Sequence, residues 1–163
     1  RACDSARGGN GKNEMKKVDI YTDGACSGNP GVGGWCAILM YNGHVKEISG
    51  FNKQTTNNRM EVFSIIQGLM QLKEPCEVTV YSDSAYAVNT INECWLENWK
   101  RNNWKNAKNE SVKNQDLWND LCVRMSKHSV QFVKVKGHSD NVYNNRCDEL
   151  ARAAIKQCLA QNR

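Results

Sequence analysis

From Lys17 the chain alternates, with Val18, Ile20 and Thr22 on one side and Lys17, Asp19 and Tyr21 on the other. That period of two predicts a half-buried strand. The stretch "GWCAILMYNGHVKEISGF" reads as two more strands joined at Asn42-Gly43, a strong hairpin signal, so three antiparallel strands are expected between Lys17 and Phe51. The period then changes. Met60, Phe63, Ile66, Leu69 or Met70, and Leu72 recur at helical spacing in "NNRMEVFSIIQGLMQLK", and Pro75 helps end that helix. "CEVTVYS" (Cys76 to Ser82) predicts a fourth strand. Helices follow from near Ser84, over about Ile91 to Asn102, and from about Asn114 to Lys127. "SVQFVKVK" (Ser129 to Lys136) predicts a fifth strand, and "NNRCDELARAAIKQCLA" a closing helix rich in good helix formers. The expected class is α/β: a mixed five-stranded sheet flanked by helices.

Length and composition narrow this little. The 163 residues favour one domain. Residues 1–14 show no apolar period and read as a flexible tail or a remnant of something upstream, with Met15 a natural start and the domain proper over 15–160. No stretch approaches the roughly 18 apolar residues of a membrane span, and no charged-then-apolar leader opens the chain. The net charge of +5 is compatible with a polyanionic partner but does not require one. The eight cysteines are scattered and never spaced C-x-x-C, which reads as reduced thiols of a cytoplasmic protein rather than a disulfide or zinc framework.

Candidate chemistry comes from acids at element ends. Asp23 is expected at the end of the first strand and Asp83 at the end of the fourth, where α/β sheets collect ligands. Glu61 falls in the first turn of the first long helix and Asp148 in the first turns of the last. Each also has a purely structural reading. Asp23-Gly24 can open a turn. Asn58 and Glu61 have capping-box spacing. Asp83 can cap the next helix, and Asp148 can complement its helix dipole. Together, four carboxylates without Cys or His ligands suit hard divalent cations such as Mg²⁺ or Mn²⁺. The glycine-rich stretch after Asp23 lacks G-x-x-x-x-G-K-[ST], so it is not a nucleotide cradle of that type.

"YTDGACSGNPGVGGW", "TTNNRMEV", "YSDSAY", "VKGHSDN" and "NNRCDELARAA" occur in the order and near the spacing of type 1 ribonuclease H, and the chain resembles the bacterial enzymes from about Lys16 to Cys158. The resemblance implies a monomeric endonuclease that cleaves the RNA strand of RNA–DNA hybrids with two Mg²⁺ or Mn²⁺ ions, leaving 5′-phosphate and 3′-hydroxyl ends. It assigns metal binding and catalysis to Asp23, Glu61, Asp83 and Asp148, and proton movement or product release to His138. By the same likeness the glycine-rich stretch is the hairpin between strands one and two. Gly24, Ala25, Cys26 and Asn29 are then expected to touch substrate beside the metals. Asn57, Asn58 and Asn29 are expected to read 2′-hydroxyls, and Thr56 to join a phosphate pocket for the DNA strand.

The segment at about 94–113 carries Lys100, Arg101, Lys105, Lys108 and Lys113 interleaved with Trp95, Trp99 and Trp104, and resembles the basic handle of the bacterial enzymes. Its cations are expected to neutralise phosphates without reading sequence, while Trp99 and Trp118 pack beneath. Two departures stand out: Ala85 occupies a position where bacterial members often carry Gln, and "SDNVYNNR" after His138 lacks the glycines and prolines common there. Two other readings remain open, a catalytically silent hybrid-binding module and the ribonuclease H domain of a reverse transcriptase.

Overall fold

A computed structural model describes residues 15–137 and 141–161. Strands β1 (Lys16–Ser27), β2 (Gly31–Tyr41) and β3 (His44–Thr55) form the expected antiparallel meander. The β2–β3 turn places both Asn42 and Gly43 at positive φ, 51° and 84°, the conformation a two-residue hairpin of this twist requires. Strand β4 (Cys76–Ser82) lies parallel to β1, and β5 (Ser129–Lys134) parallel to β4, giving the order β3-β2-β1-β4-β5. Two parallel strands therefore sit at the centre.

Helix α1 (Asn57–Met70) lays Val62, Ile65, Ile66 and Leu69 onto one face of the sheet, against Ile20, Val78 and Val80. On the opposite face, α5 (Val142–Gln161) sets Cys147 and Ala151 against Cys36 and Ile38. Between β4 and β5 run α2 (Ala85–Asn92), α3 (Trp95–Arg101) and α4 (Gln115–Met125), gathered on the fully buried Trp118. The cysteines among the described residues are free thiols, and none of the described helices is long and apolar enough to cross a membrane.

Local departures from the sequence pattern have physical causes. The helix expected over Ile91 to Asn102 starts later, at Trp95, because Ile91 and Asn92 finish the preceding helix and Cys94 turns left-handed at φ 62°. Its amide closes one helix on the Ile91 carbonyl and its carbonyl opens the next through the Asn98 amide. The bend buries Leu96 and leaves Trp95 exposed. Strand β1 does not stop at Asp23. Only residues 28–30 make the turn, and pairing continues through Asp23↔Cys36 to Ser27↔Val32. Strand β5 ends two residues short of Lys136, and α5 begins two residues earlier than expected, with the Asn141 side chain accepting the Asn144 amide at 3.0 Å.

Candidate active site

The parallel pairing of β1 with β4 runs to Tyr21↔Tyr81, so two further residues bring Asp23 level with Asp83. Glu61 reaches them because Gly24 lets α1 lie directly on β1. A Cβ at Gly24 would stand 2.5 Å from the Glu61 amide nitrogen and still closer to the Met60 carbonyl carbon. Ligand oxygens of Asp23, Glu61 and Asp83 all fall within 4.8 Å of one another. Asp148, seventh in α5, hydrogen-bonds Asp23 and is itself held by Arg152 at 2.9–3.0 Å. The structure thus brings the four predicted acids together. Three form the tight group and Asp148 flanks it.

The structural readings of these acids meet corrections. Glu61 is fifth in α1, in the second turn, and no Asn58–Glu61 capping box forms: Thr56 is the N-cap, its Oγ1 accepting the Arg59 amide at 3.3 Å. Asp83 is not the cap of α2, since Ser84 Oγ accepts the Ala87 amide at 3.1 Å. A hydroxyl does the capping in each case, Thr56 two residues before Asn58 and Ser84 next to Asp83, so neither cap is made by a carboxylate.

Crowding buried carboxylates is electrostatically unfavourable. Asp23 is 4% exposed, and its carboxyl is pushed up to about 8, first by burial and then by the charges of Asp83 and Asp148. Glu61, 5% exposed, is raised well above the usual range, again first by burial and then by Asp23 and Asp83. The Gly24 amide offsets part of both shifts. Glu61 Oε1 is buried without any hydrogen-bond partner. A buried acceptor in that condition costs about 1–3 kcal/mol, more if charged, unless something neutralises it. An all-oxygen donor set with one oxygen left over fits a hard divalent cation.

Around this group the remaining predicted residues divide. Gly24 is buried beneath α1 and acts as the contact that seats Glu61. Ala25 and Cys26 are half-buried, and the Cys26 thiol donates to the Thr55 carbonyl at 3.4 Å. Asn29 is exposed at the hairpin tip and accepts the Asn57 amide at 3.0 Å, so the hairpin and the start of α1, with exposed Asn57 and Asn58, make one rim. Lys100 and Arg101 are exposed at the end of α3, and half-buried Lys105 bridges Ser111 across the handle. His138 lies outside the described residues. Sequence reasoning missed Arg59, Asn114 and Asp116, which interlock beside the rim, and Arg152, which holds Asp148. For Arg152 the signal was present, as an Asp148/Arg152 pair at i,i+4 on a helix.

Comparison with known proteins fits this geometry. The RNase H family model matches residues 15–156. The chain is 61% identical over 143 residues to the ribonuclease H of Acetivibrio thermocellus, covering 88% of this chain and 97% of that one. It is 55% identical over 151 residues to the ribonuclease H of Caldanaerobacter subterraneus subsp. tengcongensis, covering 93% and 99%. Among solved structures, LC9-RNase H1, a type 1 RNase H with the type 2 active-site motif, superposes with a TM-score of 0.79 at 25% identity over 90% of this chain and 75% of that one. LC11-RNase H1, solved in complex with RNA/DNA hybrid, shares the fold at a TM-score of 0.67 and 24% identity, over 87% and 99%. The chain belongs to the RNase H family, in its bacterial type 1 branch, and is an endoribonuclease.

Proposed function

We propose that this enzyme hydrolyses the RNA strand of RNA–DNA hybrids, using two divalent cations held by Asp23, Glu61, Asp83 and Asp148. The observation that carries the reading is the partnerless buried Glu61 oxygen within 4.8 Å reach of two other carboxylates. Bound there, Mg²⁺ or Mn²⁺ would polarise the attacking water and offset charge on the scissile phosphate. The chain supplies the rest. β1, β4 and α1 hold the acids on rigid elements, Arg152 orients Asp148, and the Asn29–Asn57 link fixes the rim that meets the backbone. Asn57 and Asn58 present amide groups able to pair with 2′-hydroxyls, the feature that separates RNA from DNA. Thr56 is already committed to capping α1, so its part is to fix the rim more than to bind phosphate. His138 follows Gly137, where a Cβ would stand 2.9 Å from an Asp83 carboxylate oxygen, and its proposed role is to move a proton at the leaving oxygen. Cleavage is expected to leave 5′-phosphate and 3′-hydroxyl ends.

The test is one gel of end-labelled hybrid, duplex DNA and duplex RNA, with Mg²⁺ and with chelator. Cleavage of the RNA strand of the hybrid, dependent on Mg²⁺ and sparing both homoduplexes, is the expected result. Cleavage that persists in chelator, or equal cutting of duplex RNA, would overturn the assignment.

The handle gives a second expectation. Replacing Lys100, Arg101 and Lys105 with alanine should weaken hybrid binding and reduce the slope of log affinity against log salt by about 2–3, since each phosphate contact contributes about 0.9. An unchanged slope would remove the handle from the interface.

A further inference from the structure

The handle is tied to the rim of the active site by a continuous line of side chains that the cleavage chemistry does not use. Arg59 follows the rim residues Asn57 and Asn58. Its guanidinium forks onto the Asp116 carboxylate at 3.0 and 2.7 Å and donates to Asn114 Oδ1 at 3.1 Å. Asn114 stands at the N-cap position of α4 with φ 66°, yet its side chain does not cap the helix. Instead its Nδ2 donates to the Tyr86 hydroxyl at 3.0 Å, and Trp118 Nε1 donates to the same oxygen at 3.0 Å. Trp118 packs edge-on to Trp99 with centroids 6.3 Å apart. From there the handle is built outward. The Trp104 amide donates to the Trp99 carbonyl at 2.7 Å, and the Val112 amide to the Trp104 carbonyl at 2.8 Å. The exposed cations Lys100 and Arg101 lie on the same short helix as Trp99.

A lone surface ion pair stabilises little. A two-pronged guanidinium–carboxylate pair joined to a buried tryptophan through a doubly accepting phenol is geometrically specific, because each member fixes the next. The left-handed Asn114 makes the same point. It holds a conformation unfavourable for most residues while its amide faces both Arg59 and Tyr86.

We propose that Arg59, Asp116, Asn114 and Tyr86 form a brace that sets the spacing between the cationic handle and the active-site rim. They are positioning residues for hybrids long enough to span both. The inference rests on the reading of the handle as a hybrid grip, and its test is designed to separate the two.

The decisive comparison uses steady-state kinetics on two hairpin-closed hybrids, one of about 18 base pairs, longer than the domain, and one of about 6, shorter than it. Asp116→Asn and Tyr86→Phe are near-isosteric, and each is assayed beside the Lys100/Arg101/Lys105 triple alanine variant. For both brace variants, KM on the long hybrid should rise roughly three- to tenfold, with kcat within about twofold and the short hybrid unaffected. Amide order parameters over residues 102–112 should fall toward the flexible range, below about 0.6. Exchanging the pair in Arg59→Asp/Asp116→Arg should recover part of the long-hybrid KM. If the triple variant raises long-hybrid KM while Asp116→Asn and Tyr86→Phe do not, the brace is wrong and the handle stands. If the triple variant also leaves it unchanged, both are wrong. An equal loss of kcat on both hybrids would place these residues with the acids and overturn the brace.

Discussion

Asp23→Asn is expected to abolish cleavage and at the same time make the metal-free protein harder to unfold. The amide keeps the shape of the carboxyl but cannot supply the charge that divalent ions need, and loss of such a ligand removes several kcal/mol of transition-state stabilisation, at least about a thousandfold in rate. The stability effect has the opposite sign for a separate reason. In the unfolded chain Asp23 ionises at its ordinary value of 3.8, but in the folded, metal-free site only near 8. Between those pH values the unfolded state gives up a proton that the folded state retains. Folding stability is therefore full below about pH 4, declines as pH rises, and has lost the whole contribution above about pH 8. Asparagine has nothing to titrate, so this slope disappears. At pH 8 in chelator the variant should be more stable by up to about 5 kcal/mol, or roughly 10–20 °C in Tm, with little difference at pH 4. Thermal unfolding at the two pH values, with and without Mg²⁺, reads it directly. Mg²⁺ should stabilise the parent protein and leave the variant almost unmoved. A variant less stable than its parent at pH 8 would mean the carboxylates do not crowd as described.

Gly24→Ala should be among the most damaging single substitutions in the chain. The added methyl has no flexible neighbour to push aside, since it meets the Met60 carbonyl carbon and the Glu61 amide, both backbone of a helix packed on the sheet. Overpacking against backbone costs about 3 kcal/mol or more, roughly 6–12 °C in Tm for a chain of this size. Because relief requires α1 to lift from β1, Glu61 also leaves Asp23. Activity should fall at least tenfold even at temperatures where the variant remains folded. Chemical denaturation together with activity at 15 °C separates the two effects. A folded variant with full activity would show that α1 can shift without carrying Glu61 away.

Most of the scaffold was legible because hydrophobic period and turn chemistry agree along this chain. Val18, Ile20 and Thr22 announced β1, and Asn42-Gly43 adopts the positive φ angles its letters imply. What escaped was decided by tertiary contacts. The left-handed break at Cys94 leaves no trace in the pattern, since cysteine is not a residue that signals such a turn. The continuation of β1 beyond Asp23 was masked by glycines that look like a loop. In the fold Gly33 and Gly34 pair with Cys26 and Ala25, and a Cβ on either would collide, with Thr55 and Met60 at the first and the Ala151 carbonyl at the second.

The acids could be singled out because each stood beside a motif. Their convergence could not be read from spacing, as it depends on parallel pairing of strands separated by a helix and on the close approach at Gly24. The caps show how narrow the margin was. Thr56 and Ser84 take the structural roles for which Asn58 and Asp83 were equally suited by residue type. The Arg59–Asp116–Asn114–Tyr86 line had no sequence signature, for it joins residues up to 57 positions apart through side chains alone.

The direction of β1 has a practical corollary. Lys16 opens that strand beside Tyr41, its ammonium 5.4 Å from the ring centroid, while the carboxylates cluster toward the other extremity of the sheet. A fusion partner, affinity handle or surface tether joined ahead of Met15, or grafted into the open Asn42-Gly43 bend, would depart from the end of the sheet away from the carboxylates.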